Sequence, residues 1–138
     1  FRSQELGGIL AYTISVRAGP VMRYSDPALV DRVAANFPRL KIVVGHSFWP
    51  WVAQAIGMAY RRPNVFLMPD FYGIACAGHR QWVEAANTLL ADQILFGSCY
   101  PLAGIGPMVD GYRRLGFSDE ALQCVMGGNA ARLLGMGP

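Results

Sequence analysis

Charged residues make up only 15% of the 138-residue chain, and lysine is nearly missing, Lys41 being the single copy. The net charge of +3 therefore comes from scattered arginines, whose only dense pairs, Arg61-Arg62 and Arg113-Arg114, end apolar-periodic segments. Cations there complement helix carbonyls and cover apolar surface with their stems. No basic stripe or aromatic platform accompanies them, which argues against nucleic-acid binding. Cysteine is sparse too. Cys76, Cys99 and Cys124 are odd in number and form no CxxC pair, so neither a disulfide framework nor a zinc ribbon is expected, and a reducing, cytoplasmic setting is the simpler reading. No apolar run approaches the roughly 18 to 20 residues that span a bilayer, and the start lacks the basic-then-apolar design of a signal peptide, so no membrane association is expected. Neither GxGxxG nor a P-loop follows any apolar segment, which leaves a nucleotide-binding sheet without motif support.

What the chain does have is apolar surface. Apolar residues reach 53%, high for a small soluble monomer, and some of that surface is expected to meet another chain. A homo-oligomer or the remainder of a larger fold would supply it. The length fits one domain over residues 1–138, with no linker or low-complexity tract. Because it starts at Phe1 and not at methionine, the chain reads as trimmed, processed or part of something longer.

Four short segments rich in β-branched and aliphatic residues, Ile9 to Val16, Lys41 to Gly45, Val65 to Met68 and Gln93 to Gly97, read as strands. Their apolar runs are nearly continuous, as expected of parallel strands covered on both faces. Helical patterns fill the intervals. Asp26 can cap a helix with Pro27 at its first position, after which Leu29, Val30, Val33, Ala34 and Phe37 share a face until Pro38. Pro50 opens a second helix with Trp51, Val52, Ala55, Ile56 and Ala59 as its stripe, ended near Arg62-Pro63. Trp82, Val83, Ala86, Leu89 and Leu90 mark a third, and Met108, Val109, Tyr112 and Leu115 a fourth. Ser118 caps a fifth over Asp119 to Met126, broken by Gly127-Gly128, and Asn129 caps a last one over Ala130 to Leu134. Strand ends recur about 24 to 28 residues apart, the length of a strand and its crossover helix. Four such units fit either half of an eight-stranded barrel or a small open doubly wound sheet.

In both architectures ligands bind at the carboxyl ends of the strands. Those ends present Arg17, His46, Asp70 and Cys99. His46 can be a base, a metal ligand or an orienting donor, or simply hydrogen-bonded in its turn. Asp70 is a candidate catalytic carboxylate, although Pro69-Asp70-Phe71-Tyr72 also makes a good turn. Arg17 can clamp a carboxylate or form an internal ion pair with Asp70. Cys99 can attack or ligate as a thiolate, line the pocket with Tyr100, or act as a small apolar filler. Trp49, Trp51 and Tyr72 suit a pocket wall as well as packing, and His79 is given no role.

The stretches Phe37 to His46, Arg62 to Leu67, Ile94 to Pro101 and Gly128 to Leu134 together resemble, in order and spacing, the amidohydrolase-related family that includes aminocarboxymuconate semialdehyde decarboxylase. The resemblance implies a parallel (β/α) barrel of TIM type, this chain giving its C-terminal half as about four βα units plus terminal helices. It also implies a hydrolase or non-oxidative decarboxylase. Family members usually hold zinc through a His-x-His pair of the first strand, a histidine of the fifth and an aspartate of the eighth, with a sixth-strand histidine acting on substrate or water. His46 matches that last position. The His-x-His pair has no counterpart here, Arg17 falls where the fifth-strand histidine would lie, and Cys99 replaces the aspartate of Gly-Ser-Asp-x-Pro. A cation repels a divalent metal, and one thiolate with one imidazole makes too few ligands. No metal site is therefore expected unless a longer chain supplies the missing donors.

The expectation is thus an enzyme with His46 and Asp70 as catalytic residues. Arg17, Trp49, Tyr72, Cys99 and Tyr100 are expected to bind a small carboxylated substrate, aromatic-derived ones included. The alternative is a catalytically inactive barrel or half-barrel domain that binds a small carboxylate or a protein partner.

Overall fold

The computed structural model describes residues 2–14, 16 and 19–136. In chain order its elements are α1 (Arg2–Glu5), β1 (Ile9–Thr13), α2 (Pro27–Asn36), β2 (Lys41–Gly45), α3 (Val52–Arg61), β3 (Val65–Met68), α4 (Tyr72–Ala75), α5 (His79–Asn87), α6 (Ile105–Arg113), α7 (Asp119–Gln123) and α8 (Asn129–Leu133). α2 starts as its sequence dictates: the Asp26 carboxylate accepts the Ala28 amide at 2.8 Å, and Pro27 takes the first position, where no amide proton is needed. Ser118 likewise accepts the Ala121 amide at 3.2 Å to start α7. The regular helix ends three residues sooner than expected, passing into a π turn over Cys124–Gly128, and the expected break falls at Gly127, whose φ of 170° and ψ of −28° are non-helical.

β1, β2 and β3 form a parallel sheet in that order, with Tyr12 opposite Val44 and Val44 opposite Leu67. Ile42, Val44, Val65 and Leu67 are fully buried, and pack against the helices with Ala34, Ala55, Ala59, Trp82 and Ala86. Val43 and Leu95 face the other way and meet Leu133 of α8. β1 departs from the expected two-sided cover, since Ala11 and Thr13 are exposed.

The fourth expected strand is a correction. Gln93 to Gly97 makes a single parallel bridge, Leu67 with Ile94, closed by hydrogen bonds of 2.8 Å on either side. Beyond it the Phe96 amide turns to the Val125 carbonyl, so a helical segment takes the donor that a longer ladder would need.

The turns that lead into the strands are tied by amide side chains. Asn64 Nδ2 reaches the carbonyls of Ala34, Phe37 and Leu40; Gln93 Nε2 reaches those of Ala59, Arg62 and Val65. Asn129 was expected as a cap. Its side chain instead lies buried and donates to Ala91 and Ile94, pinning α8 to the start of the fourth segment.

Candidate active site at the strand carboxyl ends

At the opposite ends of the strands the backbone is forced. His46, Ser47 and Phe48, which follow β2, have φ of 63°, 45° and 62°; Asp70, after β3, has 47°, and Cys99 57°. Among the described residues these five are all the non-glycine residues with positive φ. Each costs conformational energy for an L-residue, and such strain persists where the surroundings over-determine it. The surroundings here are specific. Asp70 Oδ2 accepts the His46 amide at 3.1 Å, the Trp49 amide donates to the His46 carbonyl, and Ser47 and Phe48 are fully buried.

The same Asp70 oxygen pairs with the His46 ring at Nδ1, 2.6 Å away. With the Nδ1 proton directed at the carboxylate, Nε2 is the free ring nitrogen. Asp70 is 2% exposed, and its second oxygen, Oδ1, makes no well-formed hydrogen bond. Burial pushes its carboxyl above the ordinary range, opposed by His46 and, more weakly, by the Phe71 amide. Turn and site readings of Asp70 are compatible: its carbonyl accepts the Gly73 amide and the Tyr112 hydroxyl while its side chain turns to His46.

Cys99 joins this pair. One ligating atom each from His46, Asp70 and Cys99 lies within 4.8 Å of the other two. Gly97 makes that approach possible, because a β-carbon there would stand 2.7 Å from Met68 Cγ and 3.2 Å from Asp70 Cβ. Burial, then the Asp70 charge, pushes the Cys99 thiol up, and Cys76 shifts likewise. A protonated thiol is a poor nucleophile, which counts against attack by Cys99.

An aromatic wall stands beside His46. Tyr72 meets its ring edge-on at 5.2 Å and stacks on Trp49 at 5.0 Å, while Phe71 lies 4.1 Å from Tyr72. The Trp49 indole is fixed by donating to the Ala77 carbonyl. Tyr100 is 70% exposed. Arg17 lies outside the described residues. Sequence reasoning missed Phe71, which sits next to Asp70 in the same turn, and Tyr112, whose place in a helical stripe looks like ordinary packing.

The donor set bears on zinc. Counting only Cys99 and His46 left too few ligands; Asp70 adds a third, and its Oδ1 is buried without a partner. Three protein donors with a fourth position open is the usual form of a catalytic zinc site, so these residues fit such an ion.

The amidohydrolase family model matches residues 10–136. Among solved structures, an uncharacterized TIM-barrel protein from Bordetella bronchiseptica is 36% identical, with a TM-score of 0.93 over 98% of this chain and 48% of that one. An amidohydrolase from Burkholderia multivorans with bound zinc is 16% identical, with a TM-score of 0.71 over 97% of this chain and 55% of that one, a likeness of fold alone. The 5-carboxyvanillate decarboxylase of Sphingomonas paucimobilis is 26% identical, with a TM-score of 0.52 over 81% of this chain and 37% of that one. No curated protein matches the chain. The fold is therefore part of a parallel (β/α) barrel of TIM type, and the chain spans about half the length of the first two structures.

Proposed function

Since the chain belongs to the amidohydrolase family, we propose that it carries the acid–base centre of a hydrolase or non-oxidative decarboxylase acting on a small carboxylated compound. The buried His46–Asp70 pair, 2.6 Å apart, carries this reading. Asp70 is a positioning residue: it holds the imidazole in one orientation and offsets the charge His46 gains on taking a proton. His46 is the catalytic residue, and its Nε2 moves the proton. In a hydrolysis it takes a proton from water and returns it to the leaving group. In a decarboxylation the electrons of the broken carbon–carbon bond stay on the substrate carbon, which then takes a proton from His46.

The stacked Trp49–Tyr72 pair suits a planar substrate, aromatic acids among them. Likeness to a decarboxylase of an aromatic carboxylate supports that class. Arg17 is assigned to the substrate carboxylate on guanidinium chemistry alone. His46, Asp70 and Cys99 are the residues that would hold a divalent ion; it would supply a Lewis acid in place of proton transfer by His46, whose imidazole would then be a ligand.

As partner we assign the remainder of the barrel. β1 has an exposed face, and beside it Leu10, Tyr12, Leu29 and Val33 line an apolar groove. A chain half the length of its matches leaves a sheet edge of this kind to be covered.

The test is turnover of a panel of benzoate-type acids and their esters and amides by the chain and its His46→Ala variant. We expect a loss of about 10²- to 10⁴-fold with unchanged circular dichroism. Turnover that survives the substitution removes His46 from the mechanism.

A further inference from the structure

We propose that His46, Asp70 and Cys99 form a site for one thiophilic divalent cation, with zinc the physiological class, in preference to the hard ions magnesium, calcium and manganese. The inference goes beyond the proposed function and rests on it only in treating this site as the reaction centre: an ion on the His46 ring occupies the imidazole, so in the loaded protein His46 is a ligand and no longer the acid–base group. Three observations carry it. The ligating atoms, a ring nitrogen, a carboxylate oxygen and a sulfur, come from the ends of β2, β3 and the single-bridge segment after β3, and lie within 4.8 Å of one another. Donors held around zinc at about 2.0–2.3 Å stand roughly 3.3–3.8 Å apart in a tetrahedron, so adjustments of about 1 Å close the site. Asp70 is 2% exposed and one of its oxygens lacks a partner, an arrangement that a cation satisfies. Cys99 is set in place by a left-handed turn and by the bare backbone of Gly97, which admits Met68 and Asp70.

The sulfur decides the class of ion. A carboxylate in its place would leave a nitrogen and oxygen set open to hard cations, whereas a thiolate selects soft and borderline ones. On binding, the sulfur–metal bond forms as the Cys99 proton leaves to solvent, and no oxidant or reductant takes part.

Cobalt is the probe, because a cobalt–thiolate bond absorbs in the near ultraviolet and tetrahedral cobalt absorbs in the visible. The full chain is titrated with cobalt chloride under reducing conditions, beside Cys99→Ser, Cys99→Asp, Cys76→Ser and Cys124→Ser. The expected result is a charge-transfer band saturating at one cobalt per chain, kept in the Cys76 and Cys124 variants and lost in Cys99→Ser. Cys99→Asp should bind cobalt without the band and lose at least tenfold in cadmium-over-manganese preference. Absence of the band in the parent chain overturns the proposal whether or not any variant folds. A band that survives Cys99→Ser in protein with unchanged circular dichroism also overturns it, as does manganese displacing cadmium from the parent chain. The two readings fail separately. Turnover that depends on His46 in chelator-treated, band-free protein removes the metal and keeps the acid–base centre, whereas a band without turnover does the reverse.

Discussion

The two ends of the sheet handle polar groups differently. Where helices lead into strands, Asn64, Gln93 and Asn129 each spread one amide group over two or three carbonyls, so the backbone is tied from element to element. Where strands end, five non-glycine residues hold left-handed backbone, and a buried carboxylate keeps one oxygen unpaired. In a barrel of this kind the first end bears on stability and the second on chemistry. A chain that satisfied its polar groups equally at both ends would have nothing preorganised for a ligand. Local disagreement between residue and conformation is concentrated where a site is expected.

The contrast is most exposed at Gln93. Replacing it by leucine removes the donor to the carbonyls of Ala59, Arg62 and Val65 and buries an apolar group among them. Arg62 and Ala59 keep partners in the Val65 and Arg62 amides, which limits the damage. The expected cost is about 2–4 kcal/mol, with a fall in Tm on the order of 10 °C. Urea and thermal denaturation measure it. A loss below about 0.5 kcal/mol would mean that the amide ties are incidental.

Asp70→Asn asks the complementary question at the other end. The neutral amide keeps the shape, still offers an oxygen to the His46 amide and ring, and no longer desolvates a charge. Stability at neutral pH should stay within about 1 kcal/mol of the parent or rise, while turnover falls because His46 loses the charge that steadies its protonated form. Were this variant to lose as much stability as Gln93→Leu, the rim would be structural and the division between the two ends would not hold.

How much of this was legible depends on how local the cause is. Lys41–Gly45 and Val65–Met68 were read with correct ends, because a buried parallel strand is written as an uninterrupted apolar run. Asp26-Pro27 announced α2 through chemistry confined to neighbouring residues. The fourth segment reads identically to a strand, yet strand pairing needs a partner, and only one bridge forms. Asn64 and Gln93 look like any polar residue beside a strand; their carbonyl partners lie some thirty positions earlier. At the site, the residue types at the strand ends were visible, but the pairing of His46 with Asp70 joins positions 24 apart. Nothing local indicates that one Asp70 oxygen would be left over, which is why three donors were counted as two. α4 was missed because four residues are too few to show a period.

The smallest effect separates charge from hydrogen bonding at the tied end. Arg62 Nε donates to Asp31 Oδ1 at 2.6 Å, with both side chains partly exposed. The Arg62 hydrogen bond, and then the charges of Arg62 and Arg61, hold the Asp31 carboxyl below its ordinary value of 3.8, although its slight burial works the other way. Because the folded state binds this proton less tightly than the unfolded chain does, the pair adds stability above 3.8 that disappears as the pH falls through the lowered value. Solvent and salt screen such a pair, so Asp31→Asn should cost only about 0.3–1 kcal/mol at pH 7. That difference should shrink in about 0.5 M salt and fade as the pH falls below 3.8, vanishing once it lies below the lowered value. Urea titrations of both proteins at neutral and acid pH measure it. A difference that persists undiminished in acid would assign the effect to packing of α2, and the tied end would then owe nothing to charge.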